Sequence, residues 1–280
     1  MSVETLQSGK GPADENFPVA SKLIAPRHRP AVMAFYRFVR AADDVSDNPH
    51  ASSDEKLALL EQMRASLAGE SDRVPQGVAL REILAARKLS PQHGLEMLEA
   101  FRRDCTKLRY DSWDDLIDYC RYSAMPVGRF VLDVHGESRD LWPLNDALCA
   151  ALQVNNHLQD CGKDWRDLNR VYLPTPLLDE AGVSLDALGQ PSATPALRGV
   201  IATLARKNAE LLGGARAFAG QIRDMRLAWE VDLIHTLAQD LNTLLMTRDP
   251  LSQPVHHSKS DALGLFLKRL PGFLLMRLTR

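Results

Sequence analysis

The sequence predicts an all-α protein, and three observations support this fold class. Apolar residues recur with a helical period along most of the 280 residues, and few stretches alternate as strands do. Prolines and glycines separate these stretches without a linker long enough to mark a domain boundary. Hydrophobic residues form 45% and charged residues 25% of the chain, as in folded proteins with a sizeable core. We therefore expect one helical domain over residues 1–280.

Each predicted helix is bounded by a turn-forming segment. The predicted helices are 30–47, 53–67, 75–87, 91–108, 113–135, 144–168, 194–219 and 227–247. The breakers between them are Pro49, Gly69, Pro143 and the segments 174–195 and 250–254. Within 113–135, the pair Met125-Pro126 predicts a kink, because proline removes a backbone donor.

Charge and cysteine content narrow the classes of function. The formal net charge of −2 argues against nucleic acid as a general partner. Cys105, Cys120, Cys149 and Cys161 are scattered, which predicts reduced thiols rather than a disulfide frame or a zinc site. The sequence has no signal-like start and no apolar run of the roughly 20 residues that span a bilayer. We expect a cytosolic protein.

The segment 35–47 carries a first acidic motif. At about 100° per residue, its apolar stripe leads to Asp43 and, slightly rotated, to Asp47. Two carboxylates at i and i+4 lie about 5–6 Å apart and repel each other without a cation. Mg²⁺ suits such an all-oxygen site, whereas the alternative interpretation is a solvated acidic helix end.

The segment 153–167 carries a second acidic motif with the same Asp-x-x-x-Asp spacing. On one continuous helix, its amide and carboxylate side chains fall within an arc of about 80°. These side chains are Gln153, Asn156, Asp160, Asp164 and Asp167. The basic residues of this segment point elsewhere, although surface helices more often pair their acids at i+4. The two motifs together suggest two acidic walls that face each other across a cavity, bridged by metal and diphosphate.

Three ordered segments resemble signatures of the squalene/phytoene synthase family. The first is Tyr36-Arg37-Phe38-Val39-Arg40 followed by Asp43, Asp44 and Asp47. The last runs from Gln153 to Asp164 and is followed by Arg170-Val171-Tyr172-Leu173-Pro174. Between them, segment 119–128 resembles a tyrosine-bearing helix of that family. The resemblance covers about residues 14–280.

This resemblance implies a class I isoprenoid synthase helical bundle with a central active-site cavity and bound Mg²⁺. The implied metal ligands are Asp43, Asp47, Asp160 and Asp164, with Asp44 nearby. The implied catalytic residues are Tyr119, at the carbocation or leaving group, and Arg40, which grips diphosphate. The implied substrate-binding residues are Asn16, Arg37, Arg40, Tyr122, Gln153, Asn156, Arg170 and Tyr172.

Segments 14–20 and 123–128 look most like the bacterial hopanoid branch of the family. That likeness implies Mg²⁺-assisted ionisation of presqualene diphosphate, carbocation rearrangement and capture of water, which give hydroxysqualene and diphosphate. It implies no nicotinamide, and the chain has no GxGxxG motif after a strand. Two alternatives stay open. One is condensation of two prenyl diphosphates to presqualene diphosphate, squalene or phytoene, and the other is a non-catalytic scaffold on the same fold.

Several residues allow more than one interpretation. By spacing alone, Tyr119 is an inert, hydrogen-bonded tyrosine on a half-buried helix, whereas the resemblance puts it at the reaction, beside a cavity that the Met125-Pro126 kink would reshape. The histidines 28, 93, 157, 235, 256 and 257 are interpreted as ordinary, with His157 beside the acidic arc. Segment 262–280 mixes bulky apolar residues with Lys and Arg, which predicts either a membrane-contacting tail or a packed helix. No protein partner is expected.

Overall fold

A computed structural model describes residues 2–6, 23–257, 264–265 and 267–273 of the chain. Asn16 therefore lies outside the described residues. The helices are α1 (Arg29–Ser46), α2 (Ser53–Ala68), α3 (Pro75–Arg87), α4 (Gln92–Asp104), α5 (Trp113–Ser123), α6 (Met125–His135), α7 (Trp142–Gln159), α8 (Cys161–Leu168), α9 (Thr175–Glu180), α10 (Pro195–Gly214), α11 (Phe218–Gln221) and α12 (Met225–Leu245). In the described part of the chain, the β-structure is limited to an isolated bridge between Arg109 and Val171. The all-α prediction is confirmed.

Local sequence signals account for many helix ends. Before α2, the Ser52 side chain accepts from the Glu55 amide while the Glu55 side chain accepts from the Ser52 amide, a reciprocal capping box. Gly69 ends α2 with φ 85°, a left-handed conformation that glycine adopts without steric cost. Proline opens α3 and α10, where a missing backbone donor costs nothing.

Three helices that the periodicity predicts as continuous are each broken. The predicted helix 194–219 divides into α10 and α11, with a turn at residues 215–217 between them. Segment 113–135 divides into α5 and α6 around Ala124, which confirms the kink predicted at Met125-Pro126. Segment 144–168 divides into α7 and α8 at Asp160, so the prediction of one continuous helix there was wrong. The segment 174–195, predicted as a breaker, contains the short α9 and a 3₁₀ turn at Leu185–Gly189.

The chain forms two compact units, and each is described by itself. The first unit comprises residues 1–107 and 121–139, and α1 packs there against α2, α3, α4 and α6. Phe38 of α1 is fully buried, and the ring of Phe35 stacks on Phe130 of α6 with centroids 4.1 Å apart. This packing fixes the rotation of α1 and hence the direction of its acidic end.

The second unit comprises residues 108–120 and 140–280, and α7 packs there against α10 and α12. Three buried asparagines join these helices. Nδ2 of Asn208 lies 2.9 Å from Oδ1 of Asn155 and 3.2 Å from Oδ1 of Asn242. Asn155 donates to the carbonyl of Ala238, and Asn242 to that of Ala205. Because buried polar groups are costly without partners, this network specifies one rotation of α7.

All four cysteines carry free thiols, as the sequence predicts. Burial raises the pKa of Cys161 to about 12, and burial also raises the pKa of Cys120. Such thiols are poor nucleophiles at neutral pH. Among the described residues, no helix combines the length and apolar character needed to cross a bilayer.

Candidate active site

The first acidic cluster (Asp43, Asp44, Asp47 and Asp104) lies in the first unit, where α1 ends. Arg40 stands about one turn before Asp43 and Asp44 on α1. Its Nη2 lies 2.6 Å from Oδ1 of Asp44 and 2.9 Å from Oδ2 of Asp43. Asp44 is buried, while the Asp43 side chain keeps 32% of its surface exposed. The arginine therefore offsets part of the negative charge and holds Asp44 in place.

Electrostatics within this cluster favour a bound cation. Burial and the neighbouring Asp47 carboxylate raise the pKa of Asp43 to about 7, while Arg40 opposes the rise. Asp104, at the C-terminal end of α4, adds further negative charge. Sequence reasoning missed Asp104, because it lies far from the motif and only the packing of α4 against α1 brings it close. Clustered carboxylate oxygens of this kind match the ligand chemistry of Mg²⁺.

The second acidic cluster (Asp160 and Asp164) lies in the second unit, at the junction of α7 and α8. Asp160 leaves helical geometry, with ψ at 8°. Its amide still donates to the carbonyl of Asn156 at 2.9 Å, and the Asp164 amide donates to the Asp160 carbonyl at 2.8 Å. Backbone hydrogen bonds between residues four apart therefore continue through the break. Burial, followed by the charge of Asp164, raises the pKa of Asp160.

An aromatic cluster (Tyr110, Tyr119, His157 and Tyr172) lies in the same unit as the second acidic cluster. Tyr119 is 3% exposed, and its ring centroid lies 5.5 Å from that of Tyr110 and 5.4 Å from that of Tyr172. Tyr110 and Tyr172 stack on each other at 5.4 Å because each directly follows a residue of the Arg109–Val171 bridge. The role of Tyr119 in the reaction stays a prediction.

His157 joins this aromatic cluster to the polar face of α7. Its ring stacks on Tyr172 with centroids 3.6 Å apart, and its Nε2 lies 3.1 Å from Nε2 of Gln153. Sequence reasoning set His157 aside as ordinary. Its spacing of four residues from Gln153 was a usable signal, whereas its contact with Tyr172 depends on tertiary structure.

The remaining predicted residues differ in exposure. Arg37 is exposed and Asn156 is half-buried. Arg170 is buried, and its amide donates to the carbonyl of Asp164 at 3.1 Å. In the first unit, the Arg103 guanidinium lies over the Tyr122 ring at 4.1 Å. Asp167, predicted on the acidic arc, is exposed.

The described residues thus form one acidic cluster in the first unit, and a second acidic cluster with aromatic neighbours in the other. Carboxylate pairs and arginines suit the binding of a metal–diphosphate complex, and buried aromatic faces suit a cationic hydrocarbon. The expectation that both clusters line one central cavity stays a prediction.

Comparisons with known proteins agree with this chemistry. The family model described as squalene/phytoene synthase matches residues 11–261. The chain is 54% identical over 267 residues to a hydroxysqualene synthase of Zymomonas mobilis, covering 95% of this chain and 90% of that protein. It is also 54% identical over 255 residues to a hydroxysqualene synthase of Rhodopseudomonas palustris, covering 91% and 87% respectively.

A solved structure extends the likeness to the fold. The squalene synthase HpnC from Alicyclobacillus acidocaldarius superposes with a TM-score of 0.72 at 34% sequence identity. The superposition covers 87% of this chain and 91% of that chain. The helical fold predicted from the resemblance, that of class I isoprenoid synthases, is thereby confirmed.

Proposed function

The chain belongs to the squalene/phytoene synthase family, and from this premise we propose that it converts presqualene diphosphate and water to hydroxysqualene and diphosphate. The observation that carries the proposal is the nearly full-length likeness to two enzymes named for that product. Both acidic motifs of the family pattern are intact in this chain, which a non-catalytic scaffold would have no need to keep. An enzyme is therefore preferred to the scaffold.

Mg²⁺ is the metal that this donor set fits. We propose that Mg²⁺ binds at Asp43 and Asp47 in the first unit, with Asp44 beside them, and at Asp160 and Asp164 in the second. The raised pKa of Asp43 and of Asp160 reflects burial and carboxylate repulsion, which a divalent cation relieves. When bound, Mg²⁺ supplies charge that stabilises the diphosphate leaving group.

The protein's own side chains have three tasks in this reaction. Arg40 orders the acids of α1 and adds positive charge for diphosphate binding. The ring faces of Tyr119 and Tyr172 stabilise positive charge on the hydrocarbon through their quadrupoles. Their burial excludes bulk water, which would quench the cation at the wrong carbon.

The proposed steps balance without a redox partner. The carbon–oxygen bond to diphosphate breaks with both electrons on oxygen, and the cyclopropylcarbinyl cation rearranges. A water oxygen then bonds to one carbon, and its proton passes to the released diphosphate. No nicotinamide takes part.

A second candidate is the condensation of two prenyl diphosphates. The structural relative from Alicyclobacillus acidocaldarius is named a squalene synthase, which supports keeping this alternative. Product identification by mass spectrometry decides, with farnesyl, geranylgeranyl or presqualene diphosphate supplied in turn with Mg²⁺. We expect that, of these three substrates, only presqualene diphosphate gives hydroxysqualene. Turnover of farnesyl diphosphate to a hydrocarbon would support the condensation instead.

We also propose that the tail helix (residues 267–273) touches an anionic membrane surface. This helix packs on α12. The Arg269 guanidinium donates two 2.7 Å hydrogen bonds to the Asp232 carboxylate, and the ring centroids of Phe273 and Trp229 lie 4.5 Å apart. Leu267 and Leu270 are exposed on it. A cavity of about 380 Å³ beside it is lined by Arg216, His235, Thr236, Gln239 and Arg269, which suits a lipid phosphate.

Vesicle flotation tests the tail helix. We expect the L267E/L270E double variant to bind anionic phospholipid vesicles less than the unaltered chain, because both exposed leucines become charged. Val127→Glu is the control, since Val127 is exposed elsewhere in the chain. Equal flotation of all three proteins would remove the membrane proposal.

A further inference from the structure

His157 is a buried residue near the C-terminal end of α7, and aromatic neighbours fix its ring. Its ring is 18° from parallel with that of Tyr172, and the ring centroid of Tyr119 lies 5.8 Å away. Only 6% of the residue is exposed. Stacking restrains the ring plane, and the polar neighbours of the two ring nitrogens select one of the two flip orientations within that plane.

The two nitrogens of His157 face different polar groups. Nε2 lies 3.1 Å from the Gln153 amide nitrogen, and Nδ1 lies 4.0 Å from Oδ2 of Asp164. A carboxylate on the Nδ1 side favours the tautomer with its proton on Nδ1. Nε2 then accepts a hydrogen bond from the amide of Gln153, which turns the amide carbonyl oxygen away from the ring.

An ordered amide at this place matters for a reaction that must admit a single water. The aromatic cluster offers ring faces to a cation, and a carbocation site otherwise has to be dry. An amide carbonyl fixed beside that cluster accepts a hydrogen bond from one water and leaves the water's lone pair directed outward. We propose that His157 positions the Gln153 amide so that this amide holds the water molecule that captures the carbocation.

This inference rests on the proposed function and deepens it. The water oxygen forms the new carbon–oxygen bond, and its proton passes to the diphosphate released on ionisation, so the step needs no oxidant or reductant. His157 itself does not touch the reacting atoms. It is a positioning residue that acts through Gln153 on the identity of the product.

The product share of variants tests the role of His157. His157→Phe keeps an aromatic ring for Tyr172 but removes both nitrogens. With presqualene diphosphate and Mg²⁺, we expect the hydroxysqualene share of all products to fall about tenfold, as for loss of one positioning hydrogen bond. Diphosphate release should fall less, because ionisation precedes water capture. Gln153→Met should lower the share similarly, and His157→Gln should restore part of it.

The matched control is His93→Phe. His93 is another buried histidine, with Nε2 3.1 Å from Oδ2 of Asp133 and the Phe130 ring 6.5 Å away. We expect this control to keep the hydroxysqualene share of the unaltered chain. An equal fall in the control would show that general destabilisation causes the change, and would overturn the inference.

The remaining outcomes are equally decisive. An unchanged hydroxysqualene share in His157→Phe overturns the inference. If the Mg²⁺ requirement changes while the share does not, His157 acts through Asp164 instead of Gln153. If circular dichroism shows that His157→Phe does not fold, Gln153→Met decides in the same way. No hydroxysqualene from the unaltered chain overturns the proposed function together with this inference. If the unaltered chain makes hydroxysqualene and the variants give the same hydroxysqualene share, only the inference is overturned.

Discussion

Asp43 and Asp44 are adjacent in the sequence, yet the fold gives their carboxylates different surroundings. Asp44 is buried against Arg40 with an oxygen 2.6 Å from the guanidinium. Asp43 shares the same arginine but remains partly exposed and close to the charge of Asp47. We propose that Asp44 mainly orders Arg40, whereas Asp43 binds the metal.

The raised pKa of Asp43 predicts the pH dependence of stability in the metal-free protein. The folded pKa of about 7 lies above the ordinary value of 3.8, so the folded state binds this proton more tightly than the unfolded state. The stability that this group contributes is therefore greatest at low pH and is lost as pH rises from about 4 through about 7. We expect Asp43→Asn in EDTA to melt higher than the unaltered chain at pH 8, with a smaller difference at pH 5.

Thermal melts with and without Mg²⁺ complete this experiment. Mg²⁺ should raise the melting temperature of the unaltered chain and raise that of Asp43→Asn much less. Diphosphate release should fall at least about 100-fold in the variant, since a ligand of the metal is lost. Equal stabilisation of both proteins by Mg²⁺ would contradict the assignment of Asp43.

Tyr119 is predicted to act through its ring face. Tyr119→Phe keeps the ring and should retain most of the turnover, whereas Tyr119→Leu should lose about tenfold, in line with cation–π energies in desolvated sites. Single-turnover rates with presqualene diphosphate measure the effect on ionisation. If Tyr119→Phe lost as much as Tyr119→Leu, the hydroxyl group would be the important part and the ring-face role would be wrong.

At the scale of residues, sequence reasoning reaches only groups that share a local motif. Asp43, Asp47, Asp160 and Asp164 stand at helical spacing within two short segments, so their mutual proximity in each pair is predictable. Tyr110 and Tyr172 meet only because a bridge of two residues joins distant loops. No periodicity encodes such a contact.

Among the secondary structure elements, the break between α7 and α8 is the main departure from the predicted helices. The amides of Asp160 and Asp164 still donate four residues back, so the two segments remain in register despite the break. The predicted spacing of the acids survives because it depends on this register. The exposed position of Asp167 shows that the predicted arc does not extend to the end of α8.

Gly162 is predicted to be necessary for the packing of α8. A Cβ at this position would lie 2.5 Å from Cδ2 of Leu251 and 3.0 Å from the backbone oxygen of Leu188. Because the backbone oxygen cannot turn aside, we expect Gly162→Ala to destabilise the protein by about 1–3 kcal/mol in chemical denaturation. A displaced α8 would also carry Asp164 with it and lower the turnover.

Gly199 provides the matched control within a helix. It lies in α10, and among the described residues no atom beyond its chain neighbours and its own helix backbone lies within 4 Å of an added Cβ. Gly199→Ala should therefore be neutral or stabilise by about 0.5–1 kcal/mol, the helix propensity difference between the two residues. If both substitutions changed the free energy of unfolding equally, close packing at Gly162 would not explain the loss of stability in Gly162→Ala.

For the whole molecule, the fold class is predictable because helical periodicity runs through nearly every segment. The division into two units is not predictable from the sequence. The chain passes between the units at residues 107–108, 120–121 and 139–140, where no linker composition marks a boundary. The second of these positions lies inside α5. The single-domain expectation for residues 1–280 stays a prediction.

The central claim is that this chain ionises presqualene diphosphate and captures the rearranged cation with water. The most direct test is incubation of the purified chain with presqualene diphosphate and Mg²⁺ in ¹⁸O-labelled water, without nicotinamide. We predict hydroxysqualene that carries the label, and loss of this product in Asp160→Ala. Formation of squalene alone, or of an alcohol without the label, would contradict the claim.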